Sequence, residues 1–113
     1  MEEGKIYDTS AVIELVARRR APLVPGYISV LTAVEYPPAV PRVLGILYPT
    51  KQDYRLAVAW QAKLRKLGTP MPAVDLVIAA QAYNNDMELV ALDKHFQLLK
   101  EKIALDLKLV EEL

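Results

Sequence analysis

The stretch that decides the fold is Pro70-Met-Pro-Ala-Val-Asp75-Leu-Val-Ile-Ala-Ala-Gln-Ala-Tyr83. Its two prolines precede a run from Leu76 to Ala82 in which only Gln81 is polar. Proline is tolerated at the first position of a helix but not deeper inside it. The pattern therefore predicts a helix that exposes little of its surface to water, with one carboxylate, Asp75, in its opening turn.

A turn and a short apolar run follow this helix. Residues 84–86, Asn-Asn-Asp, carry side chains that favour turns and should end the helix. Residues 89–92 are apolar and have the length of a strand, and Asp93 stands where that strand would end. Helix, turn and strand thus form one unit, with one acid near its beginning and another at its end.

Composition places the chain among compact soluble proteins. Its 113 residues suffice for one domain, residues 1–113, and it is 53% hydrophobic and 25% charged. Fourteen basic and fourteen acidic side chains cancel, which argues against strong sequence-independent binding to nucleic acid. The chain has no cysteine and only one histidine, which excludes thiolate chemistry and a His-rich zinc site. No apolar run reaches the length of a membrane span and the N-terminus does not resemble a signal peptide, so we expect a cytoplasmic protein.

The other segments alternate between strand and helix patterns. Lys5-Ile-Tyr7 is a strand candidate that runs into Asp8, and Thr9 or Ser10 is expected to cap a helix over residues 11–18. Alternation of this kind predicts an α/β domain with a mostly parallel sheet. The remaining predicted elements are a strand at 27–28, a helix at 30–36 capped by Ser29 and stopped by Pro37-Pro38, a strand at 45–48, a helix at 51–67 with a Thr50–Asp53 capping box and Gly68 as its stop, a short helix from 96, and a strand at 104–110.

Four carboxylates occupy similar places in this pattern. Asp8 and Asp93 follow strands, whereas Glu35 and Asp75 lie on helices, and all four are embedded in apolar sequence. Burying an isolated carboxylate is unfavourable unless something pairs with it, and a divalent cation would relieve the repulsion within such a cluster. Oxygen ligands point to Mg²⁺ or Mn²⁺ rather than zinc. Taken singly, each acid also has a structural explanation, such as helix-dipole stabilisation for Asp75 or turn chemistry for Asp8.

Four segments carry a resemblance to a known family, and their order and spacing match it over nearly the whole chain. They are Ile6-Tyr-Asp-Thr-Ser10, Ile28-Ser-Val-Leu-Thr-Ala-Val-Glu35, Pro72-Ala-Val-Asp-Leu-Val-Ile-Ala-Ala80 and Leu89-Val-Ala-Leu-Asp-Lys-His-Phe96. These segments are similar to those of the PIN-domain ribonucleases, and most closely to the VapC toxins of prokaryotic toxin–antitoxin pairs. The chain differs from many such proteins at Ala91, where they have Thr.

The resemblance implies a fold, a site and a function. The fold would be a PIN-like three-layer α/β/α sandwich around a mostly parallel sheet. Asp8, Glu35, Asp75 and Asp93 would be the catalytic acids that bind Mg²⁺ or Mn²⁺, with Ser10 as a supporting hydroxyl beside Asp8. The implied function is that of a metal-dependent endoribonuclease, the toxin of a type II toxin–antitoxin system. Its partners would be an RNA substrate, a small VapB-like antitoxin and a second copy of the chain in a homodimer, with no membrane.

Two other functions remain open at this stage. One is a PIN-like module that binds RNA or protein without cutting, since prolines at 37, 38 and 41 interrupt the region after Glu35. The other is a receiver-like signalling domain, which is disfavoured because Asp8 has no acidic neighbour. His95 is expected to be a surface or supporting residue rather than a general base. The Arg18-Arg19-Arg20 run is expected to be a solvated helix end rather than an RNA clamp.

Overall fold

The architecture is a parallel sheet with helices on both faces. The computed structural model describes residues 4–113, and five strands in this range form one sheet. The strands are β1 (Lys5–Tyr7), β2 (Tyr27–Ser29), β3 (Gly45–Leu47), β4 (Glu88–Val90) and β5 (Leu109–Val110). The helices are α1 (Thr9–Ile13), α2 (Val30–Glu35), α3 (Lys51–Lys66), α4 (Ala73–Asn84) and α5 (His95–Lys102), with a π-helical turn at Glu14–Arg18 and a 3₁₀ helix at Pro37–Arg42.

The order of the strands creates a crevice beside β1. The sheet runs β3-β2-β1-β4-β5, and every neighbouring pair is parallel. From β1 the chain builds outward to β3 and then returns to the other side of β1 to form β4. Ligands of open α/β sheets bind where the strand order reverses in this way, at the carboxyl ends of the strands. Here that place lies between the ends of β1 and β4.

Alternate residues of each strand face different helical layers. Ile6 and Leu89 pack in one core with α3, α4 and α5, whereas Tyr7 and Val90 pack in a second core with α1 and the 3₁₀ segment. This is the period of two expected for side chains along a strand. The predicted α/β/α sandwich with a mostly parallel sheet is therefore confirmed.

The segment around α4 is fixed from several sides. Every residue from Leu76 to Ala82 is buried, as the apolar run predicts. Before α4, the side chain of Gln61 donates to the Met71 carbonyl (2.6 Å) and accepts from the Met71 amide (3.1 Å). Inside α4, Gln81 donates to the carbonyl of Leu47 at the end of β3 (3.1 Å). These bonds fix the start of α4 and its position on the sheet.

The longest helix begins and ends as the sequence predicts. Thr50 and Asp53 form a capping box, with each side chain bonded to the other residue's backbone N–H. The second carboxylate oxygen of Asp53 accepts from Asn84 (2.8 Å), which ties the start of α3 to the end of α4. Gly68 follows the helix with φ = +75°, a conformation that glycine adopts without strain. No helix among the described residues has the length and apolar character needed to cross a membrane.

Three predicted boundaries are wrong. Asp8 itself caps α1, so neither Thr9 nor Ser10 has that role. β4 ends at Val90, two residues earlier than predicted, because the partner strand β1 ends opposite it. In the segment 104–110 only Leu109 and Val110 pair with β4.

The alternating residues of that last segment form a turn for a local reason. The Lys100 ammonium donates to the carbonyls of Leu105 (2.9 Å) and Leu107 (2.6 Å), which gathers these carbonyls around one cation. Leu107 is buried while Leu105 is 71% exposed, so the turn produces the in-and-out pattern that is typical of a strand.

Candidate active site

Asp8 lies at the carboxyl end of the central strand. Its backbone N–H donates to the Val90 carbonyl (3.0 Å), and its Oδ1 accepts the Ala11 N–H (2.9 Å) at the start of α1. The residue is only 2% exposed. Burial raises the pKa of this carboxyl to about 6, the Ala11 bond opposes the rise, and the charges of Asp75 and Asp93 add to it.

Asp75 reaches the same place from the first turn of α4. Its side chain is 23% exposed. Burial raises its pKa, the neighbouring His95 opposes the rise, and the charges of Asp93 and Glu35 add to it. Because Asp8 and Asp75 both sense Asp93, and Asp75 also senses Glu35, the four predicted acids share one electrostatic field.

His95 stands between two of these acids. Its Nε2 lies 2.7 Å from Oδ2 of Asp75, and its Nδ1 lies 3.0 Å from Oδ1 of Asp93. The ring is 26% exposed and is tilted against Phe96, with ring centroids 4.9 Å apart. Sequence reasoning placed His95 at the surface or in a supporting role and missed the contact with Asp75. The available signal was its position two residues after Asp93.

Glu35 is exposed and is held by a chain of hydroxyls. Thr9 donates to Oε1 of Glu35 (2.6 Å) and lies 3.0 Å from the hydroxyl of Thr32, which is fully buried. A hydroxyl has one proton to give, so Thr32 is the donor to Thr9. The sequence suggested Thr9 only as a helix cap and gave no sign of its bond to Glu35.

Ser10 lies on the outer side of α1. It is exposed and lines a cavity of about 260 Å³. Its supporting role stays a prediction. The other residues around this cavity are Ile13, Glu14, Arg18 and Leu92.

The arginine run has the arrangement of a solvated helix end. Arg18 and Arg19 lie 3.5 Å and 3.8 Å from the carboxylate of Glu14, and both guanidinium side chains are more than half exposed. Arg20 has φ = 53°, which turns the chain away from the helix.

The donor set of the cluster fits a hard divalent cation in its chemistry. Asp8 and Asp75 both have pKa values raised by burial and by nearby carboxylates, which are Asp75 and Asp93 for Asp8, and Asp93 and Glu35 for Asp75. A divalent cation would relieve this repulsion. Within residues 4–113, however, no group of three or more acidic, His or Cys side chains is arranged to hold an ion as it stands. The imidazole of His95 contacts both Asp75 and Asp93.

Comparison with known proteins supports the fold through structure rather than sequence. No family model and no curated protein matches the chain. Among solved structures it is similar to VapBC-1 from nontypeable Haemophilus influenzae, with 23% identity and a TM-score of 0.69, covering 95% of this chain and 96% of that one.

Two further solved structures are similar to the chain over nearly its whole length. VapBC2 from Rickettsia felis, bound to a DNA fragment from its promoter, has 13% identity and a TM-score of 0.72, covering 94% of this chain and 96% of the other. DNA-bound VapBC from Salmonella typhimurium has 18% identity and a TM-score of 0.69, covering 96% and 98%. The chain therefore has the α/β fold of the VapC-type PIN domain.

Proposed function

We propose that this chain is a metal-dependent endoribonuclease and the toxin of a type II toxin–antitoxin pair. The observation that carries the proposal is the convergence of Asp8, Asp75 and Asp93 at the reversal of strand order, where each acid comes from a different element. The fold shared with VapBC structures supports it.

Each residue of the candidate site would have a separate role. Asp8, Asp75 and Asp93 would hold Mg²⁺ or Mn²⁺, and Glu35 would join them from the rim, aimed by Thr9. A divalent cation there supplies Lewis acidity and makes a nucleophile available from water near neutral pH. Hydrolysis then needs no protein nucleophile, in keeping with a chain that has no cysteine. Water would add to phosphorus and lose a proton, and the bond to the leaving oxygen would break as that oxygen takes up a proton.

The test is cleavage of a mixed set of structured RNAs by purified protein with Mn²⁺, with Mg²⁺, and with EDTA. Removing one preorganised electrostatic group from an active site lowers rates by about 10²–10³. We therefore expect Asp8→Asn, Asp75→Asn and Asp93→Asn each to lower cleavage at least about a hundredfold, and Glu35→Gln to lower it less because this residue is exposed.

Asp106→Asn is the matched control. Asp106 is an exposed aspartate that accepts a bond from Tyr83, which asparagine can also accept, and it lies outside the cluster. It should cleave at the wild-type rate. Full activity in all three cluster variants would show that the acids are not the catalytic site.

A second function has an observation in its favour. His95 separates two of the acids, and no three-ligand arrangement is present among the described residues. A PIN-like module that binds RNA or protein without cutting is the function that this arrangement favours. RNA binding that persists in EDTA, together with no cleavage in either metal, would identify it.

We also propose a small VapB-like antitoxin and a second copy of the chain as partners, since the similar structures are VapBC complexes. Light scattering of the purified chain gives its molar mass in solution and so tests whether it forms a homodimer. Inhibition of RNA cleavage by a co-expressed antitoxin tests the pair.

A further inference from the structure

We propose that His95 holds the acidic cluster together in the metal-free protein and gives up its place when a divalent cation binds. This inference rests on the proposed metal site. It concerns a contact that the proposed function does not require, and it assigns to the imidazole a definite effect on metal affinity.

The geometry of the contact makes the ring a cross-link. The two nitrogens lie on different edges of the ring, and each meets a carboxylate oxygen from a different element, Asp75 on α4 and Asp93 after β4. The backbone N–H of His95 also approaches Oδ1 of Asp93, at 3.4 Å. One residue therefore joins two acids that would otherwise face each other across the crevice.

The same contact excludes an ion from the position between the two acids. Oxygens that bind one Mg²⁺ at about 2.1 Å can be at most about 4.2 Å apart. A ring that touches Asp75 with one nitrogen and Asp93 with the other stands between those two oxygens. An ion shared by these two oxygens therefore requires the ring to move. The lack of a ready three-ligand group in residues 4–113 agrees with this.

The position of His95 allows the ring to move without disturbing the helix. It is the first residue of α5, and its side chain is 26% exposed, so one side is open to solvent. The next residue, Phe96, is fully buried and anchors the helix in the core. A rotation of the His95 side chain thus leaves the backbone of α5 in place.

Two measurable consequences follow for His95→Ala. Without the cross-link, the metal-free protein should unfold at a temperature a few degrees lower. Without the competing ring, Mn²⁺ should bind about tenfold more tightly, which corresponds to about 1.4 kcal/mol. In saturating Mn²⁺ the melting temperatures of wild type and variant should converge.

Titration calorimetry with Mn²⁺ alone, and thermal melting in EDTA and in excess Mn²⁺, measure both consequences without RNA. Lys94→Ala is the matched control, because Lys94 is the exposed residue preceding His95 and its loss removes a cation without removing the cross-link. His95→Gln retains one donor in place of two ring nitrogens and should lie between wild type and His95→Ala.

The outcomes separate this inference from the proposed function. Mn²⁺ binding by the wild type that is weaker or unchanged in His95→Ala would overturn the inference and leave the metal site standing, with His95 as a ligand or a bystander. Absence of Mn²⁺ binding in both proteins would overturn the metal site and the inference together. Mn²⁺ binding by His95→Ala but not by the wild type would support both the metal site and the inference about His95.

Discussion

Replacing Asp8 by asparagine should make the metal-free protein more stable while lowering the proposed RNA cleavage at least about a hundredfold. Asp8 is 2% exposed and faces the charges of Asp75 and Asp93. Asparagine has the same shape, and its side-chain oxygen can still accept the Ala11 N–H as an N-cap. The substitution therefore removes a buried charge and retains the hydrogen bond.

The size of the effect follows from the pKa of Asp8. Its pKa rises from 3.8 to about 6 on folding. One pKa unit corresponds to about 1.4 kcal/mol, so the ionised carboxylate lowers the free energy of unfolding by about 3 kcal/mol at neutral pH. The amide has no such penalty. We expect Asp8→Asn to raise the free energy of unfolding by about 2–3 kcal/mol at pH 7.5.

The stability difference between Asp8→Asn and wild type should depend on pH with a definite sign. The folded protein holds the Asp8 proton to a higher pH than the unfolded chain, so the penalty is absent below about pH 4 and complete above about pH 6. The advantage of the variant should shrink to about 1 kcal/mol near pH 4.5 and vanish below that. Urea unfolding of both proteins in EDTA at pH values from about 4 to 7.5 measures this stability difference.

Asp106→Asn serves again as the control, since an exposed Asp should change stability by no more than about 0.5 kcal/mol at any of these pH values. Equal stability of Asp8→Asn and wild type at pH 7.5 would refute the reasoning. So would a gain that is the same at pH 4 and pH 7.5, because a titrating charge cannot produce it.

Of two further predictions, one concerns the surroundings of the candidate site and the other the opposite edge of the sheet. Thr9→Val removes the donor to Glu35 and the acceptor for Thr32, so cleavage should fall to the level of Glu35→Gln while Thr9→Ser retains activity in the same RNA assay. In Gly26→Ala the new Cβ would lie 2.6 Å from the Lys5 carbonyl, so strand β1 must shift; urea unfolding should show a loss of about 1–3 kcal/mol, and an unchanged midpoint would contradict the close approach.

Much of the fold could be predicted because local chemistry and tertiary packing agree. Thr50, Asp53 and Gly68 mark the ends of α3 by capping rules alone. The apolar run after Asp75 marks a buried helix in any α/β arrangement. The strand predicted over residues 104–110 was mostly wrong because Lys100 binds the carbonyls of this segment and holds it in a turn. A side chain that binds backbone groups several residues away produces no periodic pattern in the sequence.

The common location of the candidate acids could be predicted from the sequence, whereas their contacts could not. Asp8 and Asp93 follow strands, and parallel strands bring their carboxyl ends to one edge, so their convergence with Asp75 follows from topology. The 2.7 Å contact of His95 with Asp75 joins residues twenty positions apart and depends on side-chain rotamers. No spacing rule encodes such a distance.

The burial of α4 has a consequence for how such a protein can change over generations. Seven consecutive residues of this helix are buried. A substitution at any of them therefore changes the packing of the core and has little direct effect on the protein surface. Asp75 stands at the head of this helix. Substitutions on the exposed face of α3 can therefore change the surface of the protein while Asp75 keeps its position.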